Sequence, residues 1–116
     1  MIREPVILDA DGGAMVFQTK EEAERYTETI DIENGEYAAA YEATGHLLHL
    51  SVGSDRRRGL LTLPDPSEDR SEDLAELLRK MFRQIASVRS VPFDKNRLQE
   101  YSLDQLVQFS THYYDK

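Results

Sequence analysis

Residues 30–52, IDIENGEYAAAYEATGHLLHLSV, decide the fold class of this chain. Apolar and acidic residues alternate over Ile30–Glu33, and Asn34-Gly35 follows as a strong signal for a two-residue hairpin. The pattern then predicts a returning strand over Glu36–Glu42, a second turn, and a third strand over His46–Val52. Strands joined by such short turns predict an antiparallel meander, which can leave one face of the sheet in water.

Shorter strands are predicted on both sides of this meander. Pro5–Leu8 is apolar and runs into the turn residues Asp11–Gly13, and Ala14–Gln18 is predicted to return as the second arm of a hairpin. Leu60–Leu63 predicts a further strand after a polar loop. The sheet is therefore expected to contain four to five strands.

A short helix is predicted between the hairpin and the meander. Thr19 is a favourable N-cap residue, and Glu22 stands three positions later, as in a capping box. Glu21 and Glu22 also place negative charge in the first turn, where it suits the helix dipole. We expect this helix to cover Lys20–Thr27.

Two longer helices are predicted in the second half of the chain. Apolar residues recur every three or four positions from Leu74 to Ile85, which indicates an amphipathic helix that begins near Asp69 or Ser71. Ser102 is the predicted cap of a last helix, whose buried side would carry Leu103 and its apolar neighbours. The expected architecture is a single α+β domain, residues 1–116, with both longer helices packed on one face of the sheet.

Composition excludes several classes of protein. The chain has 116 residues and no cysteine, which excludes disulfides and thiolate metal sites. No apolar run approaches the roughly 20 residues that span a bilayer. Residues 1–5 lack the features of a signal peptide, so a cytoplasmic protein is expected. No cofactor is predicted, because no glycine-rich phosphate loop opens a helix.

The charge balance favours some partners over others. The formal net charge is −8, from 22 acidic and 14 basic residues. Such a field repels nucleic acid and anionic membranes, and it accelerates encounters with a basic protein. Many proteins are acidic for solubility alone, so charge by itself leaves both interpretations open.

Acidic residues form two candidate partner-binding patches. In the first, a two-residue turn would bring Glu33 opposite Glu36 on the exposed face of the sheet. Tyr37 and Tyr41, on the opposite face, would contribute to binding only if that side of the sheet is partly open. The alternative interpretation is a solvated acidic face with both tyrosines in the core. The first patch comprises Asp31, Glu33, Glu36 and Glu42, with Tyr37 and Tyr41 as possible anchors. The second, in the proline-containing connector of residues 64–70 and the start of the following helix, comprises Asp65, Glu68, Asp69, Glu72 and Asp73.

One motif suggests catalysis. The segment 6–13, VILDADGG, resembles the nucleophile motif of the haloacid-dehalogenase-like phosphatases. The resemblance implies that Asp9 attacks phosphorus and Asp11 acts as acid and base beside a metal ion. Those enzymes also need a Ser or Thr, a Lys and a later acidic pair at the ends of parallel strands. The alternative interpretation, a polar turn that closes a hairpin, is favoured.

Histidines and arginines give weaker signals. His46 and His49 stand three apart on a predicted strand, so they point to opposite faces and cannot share one metal ion there. We expect one of them to be exposed and the other partly packed. The arginines of residues 56–58 are read as the solvated tip of a loop, although they would also suit a phosphate or a carboxylate. No metal site is predicted.

Three segments resemble small bacterial immunity proteins encoded beside polymorphic toxins, such as Rhs-type and contact-dependent toxins. They are FQTKEEAE at 17–24, IDIENGEY at 30–37 and YEATGHLL at 41–48. The resemblance implies a protein that binds one toxin domain and blocks its active site, with no catalytic residues of its own. An adaptor or regulatory module without a toxin partner is the second interpretation, and a small enzyme is the third.

Overall fold

A computed structural model describes residues 2–10, 13–27, 32–33, 35–53 and 59–114, with only the backbone described at 112–114. The predicted α+β class is confirmed: helices pack against a five-stranded antiparallel sheet. The strands are β1 (Val6–Ala10), β2 (Gly13–Phe17), β3 (Tyr37–Tyr41), β4 (Leu47–Val52) and β5 (Gly59–Thr62).

The strand order is β2-β1-β3-β4-β5. Strands β3, β4 and β5 follow one another as a meander, as the sequence predicts. The β1–β2 hairpin adds to this meander through β1, which pairs with both β2 and β3. The two edges of the sheet are therefore β2 and β5.

Among the described residues, three α-helices with defined ends and one 3-10 helix accompany the sheet. They are α1 (Lys20–Tyr26), α2 (Ser71–Ala86), the 3-10 helix (Lys95–Glu100) and α3 (Leu103–Tyr114). The guanidinium of Arg79 on α2 donates to the carbonyl oxygens of Leu98 and Tyr101, at 3.1 and 3.2 Å. These bonds join α2 to the chain that leads into α3.

Local hydrogen bonds explain where the helices begin. The N–H of Glu22 donates to Thr19 Oγ1 at 3.1 Å, which confirms the predicted cap of α1. At α3, Ser102 and Gln105 cap each other, because each side-chain oxygen accepts from the other residue's N–H. Arg70 occupies the N-cap position of α2, and the cap is supplied from one residue earlier: the N–H of Ser71 donates to Asp69 Oδ1 at 2.9 Å.

Apolar side chains form a cluster on each face of the sheet. One cluster joins Ile7 and Val16 to the buried stripe of α2 and to Leu106 and Val107 of α3. The other joins Val6, Leu8, Ala40, Leu48 and Leu61 to Ala23 of α1. Strand β1 contributes to both clusters, because successive side chains of a strand point to opposite faces. Both longer helices pack on one face, as predicted, and the other face is partly covered by α1.

A β-bulge in β3 changes which face its tyrosines occupy. Asp9 pairs with Ala39 and Ala10 pairs with Tyr37, so Ala38 is an extra residue in β3. Tyr41 therefore belongs to the cluster under α2, whereas Tyr37 packs against the cluster under α1. The prediction that Tyr37 and Tyr41 point the same way is wrong for this reason.

The predicted strand over Ile30–Glu33 is also wrong where the structure describes it. Ile32 and Glu33 lie in a helical turn, and the N–H of Gly35 donates to the carbonyl oxygen of Ile32 at 3.1 Å. Gly35 has the positive φ expected of a turn glycine, at 72°. Because Glu33 lies in this helical turn and not in a strand, Glu33 and Glu36 are not cross-strand neighbours.

Candidate functional site

The turn between β3 and β4 is organised by one buried carboxylate. Glu42 is only 2% exposed. Its Oε1 accepts hydrogen bonds from the N–H of Thr44 at 2.9 Å, from the N–H of His46 at 3.0 Å, and from the Thr44 hydroxyl. His46 Nδ1 lies 3.2 Å from the same oxygen. These contacts fold residues 42–46 into a tight turn around the carboxylate.

Hydrogen bonding determines the charge state of Glu42. Burial alone would raise its pKa, but the hydrogen bonds from Thr44 and His46 outweigh burial and hold the pKa below its ordinary value. Glu42 is therefore ionised at neutral pH. The prediction that Glu42 lies on an exposed sheet face is wrong, because the turn encloses its side chain.

The turn docks directly against the second predicted patch. The N–H of Leu47 donates to the carbonyl oxygen of Glu68, and the N–H of Arg70 donates to that of Gly45, both at 2.8 Å. His46 and Asp69 form a β-bridge between these two bonds. Gly45 has φ of 95°, and a Cβ at this position would overlap the backbone of Ser71. A glycine is therefore needed for this close approach.

We call residues 65–73, with their exposed carboxylates, the acidic segment. All five predicted side chains are exposed: Asp65, Glu68, Asp69, Glu72 and Asp73. A hydrogen bond from the N–H of Ser71, with further bonding from its side chain, lowers the pKa of Asp69. Backbone bonds to the β3–β4 turn hold the segment at Glu68 and Arg70, and its last residues continue into α2.

Arg70 is the basic residue inside the acidic segment. Its guanidinium pairs with Glu68 and with Asp73, the latter at 3.1 Å. Arg70 was not among the predicted site residues, although a basic residue three positions before an acid at the start of a helix is a recognisable signal for such pairing. Arg70 fixes the two carboxylates relative to each other and leaves Asp65, Asp69 and Glu72 as the other exposed acids of the segment.

Shallow grooves surround the start of α2. One is lined by residues 69–73, all from the acidic segment. A second runs from Ser71 and Glu72 to Gln99 and Leu103, between α2 and the start of α3. The surface here is concave and polar, which suits contact with another macromolecule better than enclosure of a small substrate.

The first predicted patch is not assembled as one surface. Asp31 lies outside the described residues. Glu33 and Glu36 are exposed beside the helical turn, while Glu42 is buried more than a strand's length away along β3. Only part of this patch therefore remains available to a partner.

The two tyrosines have different surroundings. Tyr41 is 6% exposed, and its burial, together with the nearby carboxylates of Asp73 and Asp9, raises the pKa of its hydroxyl. Tyr37 is partly buried against the α1 side of the sheet. Tyr41 is thus a core residue at the edge of a groove that Asp9 and Asp73 also line.

The sheet does not provide the framework that the phosphatase resemblance implies. Asp9 lies on β1 between two antiparallel neighbours rather than at the end of a parallel strand. Its Oδ1 is buried with no hydrogen-bond partner among the described residues. Asp11 falls outside those residues, so the proposed pair is not described as a unit.

The histidine prediction agrees with the structure. His49 is exposed, whereas His46 is partly buried against Glu42. Within the part of the chain that the structure describes, no group of three or more metal-ligating side chains converges. The arginines of residues 56–58 and His112 have no described side chains.

No protein-family model, curated protein or solved structure matches this chain. Among the described residues, no helix has both the length and the apolar composition to cross a membrane.

Proposed function

We propose that this chain is a cytoplasmic immunity protein that binds a toxin domain and occludes its active site with the acidic segment. The observation that carries the proposal is the set of five exposed carboxylates held on a framework of backbone hydrogen bonds at the start of α2. The partner that fits this surface is a protein with a basic cleft.

Preorganisation supports binding by this segment. A loop that is already ordered loses less conformational entropy on association than a flexible one. The segment is tied to the β3–β4 turn by bonds to Glu68 and Arg70 and continues directly into α2. Its carboxylates can therefore meet a cationic surface without a large ordering cost.

The proposed mechanism is competition for a cationic site. Toxins that act on nucleic acid or nucleotides bind phosphate with basic side chains, and carboxylates can occupy the same positions. The long-range field of a protein with net charge −8 accelerates the encounter, and salt screens that field. The resemblance at residues 17–48 supports the assignment to immunity proteins in particular.

A charge-reversal pair tests the proposal. The probe is the variable C-terminal domain of the secreted protein that we expect to be encoded immediately upstream. Glu72→Lys should weaken binding of that domain by at least about tenfold, because Glu72 is exposed in the first turn of α2. Glu22→Lys is the matched control: it is exposed in the first turn of α1, on the other face of the sheet.

Isothermal titration calorimetry with purified domains measures both variants. We expect the Glu22→Lys variant to bind nearly as tightly as the original chain, since both substitutions change the net charge equally. Equal losses for the two variants would mean that net charge alone, and not the acidic segment, determines affinity. Absence of binding by the original chain would refute the immunity assignment.

A further inference from the structure

A groove beside α2 contains polar groups that the proposed binding surface does not use. It has a volume of about 410 Å³. Asp9 on β1 and Tyr41 on β3 line it from the sheet. Its helix side is lined by Asp73, Glu76, Leu77, Lys80 and Arg83. Because Asp73 belongs to the acidic segment, the groove adjoins the surface on which we place the toxin domain.

Asp9 is the acid of this groove that has no cationic partner among the described residues. Its Oδ1 is buried and accepts no hydrogen bond there. Of the other two acids, Asp73 pairs with Arg70. Glu76 pairs with Arg79. A carboxylate oxygen that is removed from water without a donor is unfavourable, and a donor brought by a partner relieves that cost. Rotation about the Cβ–Cγ bond can turn either oxygen of Asp9 toward the groove.

Tyr41 supplies a second group without a partner. The residue is 6% exposed, yet its hydroxyl makes no hydrogen bond with any described residue. The hydroxyl is not among the sealed polar atoms of the core, so it opens into the groove. Burial raises the pKa of this hydroxyl, and so do the carboxylates of Asp73 and Asp9, each of which outweighs the opposing effect of Arg70. The hydroxyl is therefore neutral at pH 7 and lies where the local potential favours a cation.

We propose that Asp9 and Tyr41 form an anchor site for one arginine side chain of the toxin domain. A guanidinium is planar, carries several donors and can bind a carboxylate through two parallel hydrogen bonds. At this site it donates to the Asp9 carboxylate and to the Tyr41 hydroxyl oxygen, which satisfies both groups. The inference rests on the proposed function, since a toxin domain seated on the acidic segment reaches the groove past Asp73.

The position of the other charges places the cation at one end of the groove. Lys80 and Arg83 follow Asp73 by seven and ten residues, which is roughly 10 and 15 Å along the axis of α2. Neither of these bases contributes to the raised pKa of the Tyr41 hydroxyl. The end beside Asp73 is therefore favourable for a guanidinium, and the far end repels it. A metal ion fits less well, because no three metal-ligating side chains converge among the described residues.

An isolated arginine residue tests the site without any toxin. The probe is N-acetyl-arginine methylamide, and its control is the citrulline compound, in which a neutral ureido group replaces the guanidinium. In heteronuclear NMR titrations, the arginine compound should cause saturable shifts at the amides of Asp9, Tyr41 and Asp73. It should bind at least about fivefold more tightly than the citrulline compound, because only the guanidinium is charged. Shifts that are absent, equal for both compounds or spread over all exposed acids would overturn the proposal.

Two substitutions test the named groups. Asp9→Asn removes the charge and should weaken binding of the arginine compound at least about tenfold. Tyr41→Phe keeps the buried ring, removes only the hydroxyl and should weaken binding about threefold. Glu22→Gln, which removes an exposed charge on α1, should leave binding unchanged. Neither site variant removes a hydrogen bond within the described part of the chain, so both should unfold at or above the temperature of the original chain.

Calorimetry with the toxin domain separates this inference from the proposed function. Asp9→Asn should weaken binding of the domain at least about tenfold, and Tyr41→Phe about threefold. Unchanged affinity of both variants, together with the expected loss for Glu72→Lys, would refute the anchor site and leave the acidic segment as the interface. If the original chain does not bind the domain, the immunity assignment fails, and the arginine titration shows by itself whether the groove takes a guanidinium.

Discussion

Four hydrogen-bonding groups converge on one oxygen of Glu42: the two backbone N–H groups of Thr44 and His46, the Thr44 hydroxyl and His46 Nδ1. A buried carboxylate is stable only when its charge is compensated by such donors. At the residue scale, this arrangement shapes the turn on which the acidic segment docks. Glu42 is therefore a positioning residue for the proposed binding surface.

Replacing Glu42 with Gln tests this role. The amide keeps an acceptor but loses the charge, and hydrogen bonds to charged groups contribute more than neutral ones, so we expect a loss of about 1–3 kcal/mol in the free energy of unfolding at pH 7. Urea denaturation measures the loss. Glu22→Gln, at an exposed position on α1, should change stability by less than about 0.5 kcal/mol.

The same pair of variants reports on pH. The pKa of Glu42 is lowered in the folded chain from an ordinary value of 4.5. A lowered native pKa means that the unfolded state binds the proton more tightly, so the stabilisation is complete above about pH 4.5 and is lost as pH falls. The stability of the original chain should therefore decrease more steeply below that pH than the stability of the Glu42→Gln variant. Parallel pH profiles would show that Glu42 does not contribute.

Gly45 is the second residue on which the turn depends. Gly45→Ala combines a positive φ with an overlap against Ser71, and we expect a loss of more than about 2 kcal/mol in unfolding free energy. Gly35→Ala is a suitable control, because its φ is also positive but the space around it is open. It should lose only the backbone cost of about 1–2 kcal/mol. If thermal denaturation gave equal losses for the two variants, close packing against Ser71 would not matter.

At the scale of elements, the helices were predictable because their signals are local. Thr19, Ser102 and the apolar spacing from Leu74 to Ile85 each determine a start or a buried stripe without reference to the rest of the chain. The strand over Ile30–Glu33 was not predictable in the same way. Two alternating apolar residues are too few to separate a strand from a turn, and Ile32 lies close to Gly59 on β5, which is distant in sequence.

The bulge in β3 limited the prediction of the candidate site. Ala38–Ala40 gives no signal for an extra residue, so Tyr37 and Tyr41 were assigned to one face. The burial of Glu42 was missed for a related reason. The predicted alternation of inward and outward side chains was continued past the end of β3, at Tyr41, into the turn. The acidic segment lies in a connector and at the start of a helix, as predicted, because its proline-containing, charged sequence has no apolar periodicity.

Glu24 links helix α1 to the edge of the sheet. Its side chain is nearly buried, accepts from the N–H of Leu61, and pairs with Lys20 Nζ at 3.3 Å. Glu24→Ala should lower the free energy of unfolding by about 1–3 kcal/mol, because it leaves a buried donor unpaired. Hydrogen exchange at the Leu61 amide should accelerate by more than the loss of global stability accounts for.

Glu21→Ala is the control for this prediction. Glu21 lies on the same helix but is exposed and pairs with Arg25 at 3.5 Å, so its removal should cost less than about 0.5 kcal/mol. If the exchange rate of the Leu61 amide changed only as much as global stability in both variants, Glu24 would not close the β5 edge.

At the scale of the whole molecule, net charge determines how the proposed binding surface responds to salt. The acidic segment beside β4 should bind a basic partner less tightly as salt rises. Net charge was readable from the sequence, but the position of the segment beside the sheet depends on the strand order, which places β1 between β2 and β3.

The dependence of toxin-domain affinity on NaCl concentration tests the central claim most directly. For the original chain, the dissociation constant should rise by at least about tenfold between about 50 mM and 500 mM NaCl. The Glu72→Lys variant should bind more weakly at low salt and show a smaller dependence. An affinity that does not change with salt, and that Glu72→Lys leaves intact, would contradict binding through the acidic segment.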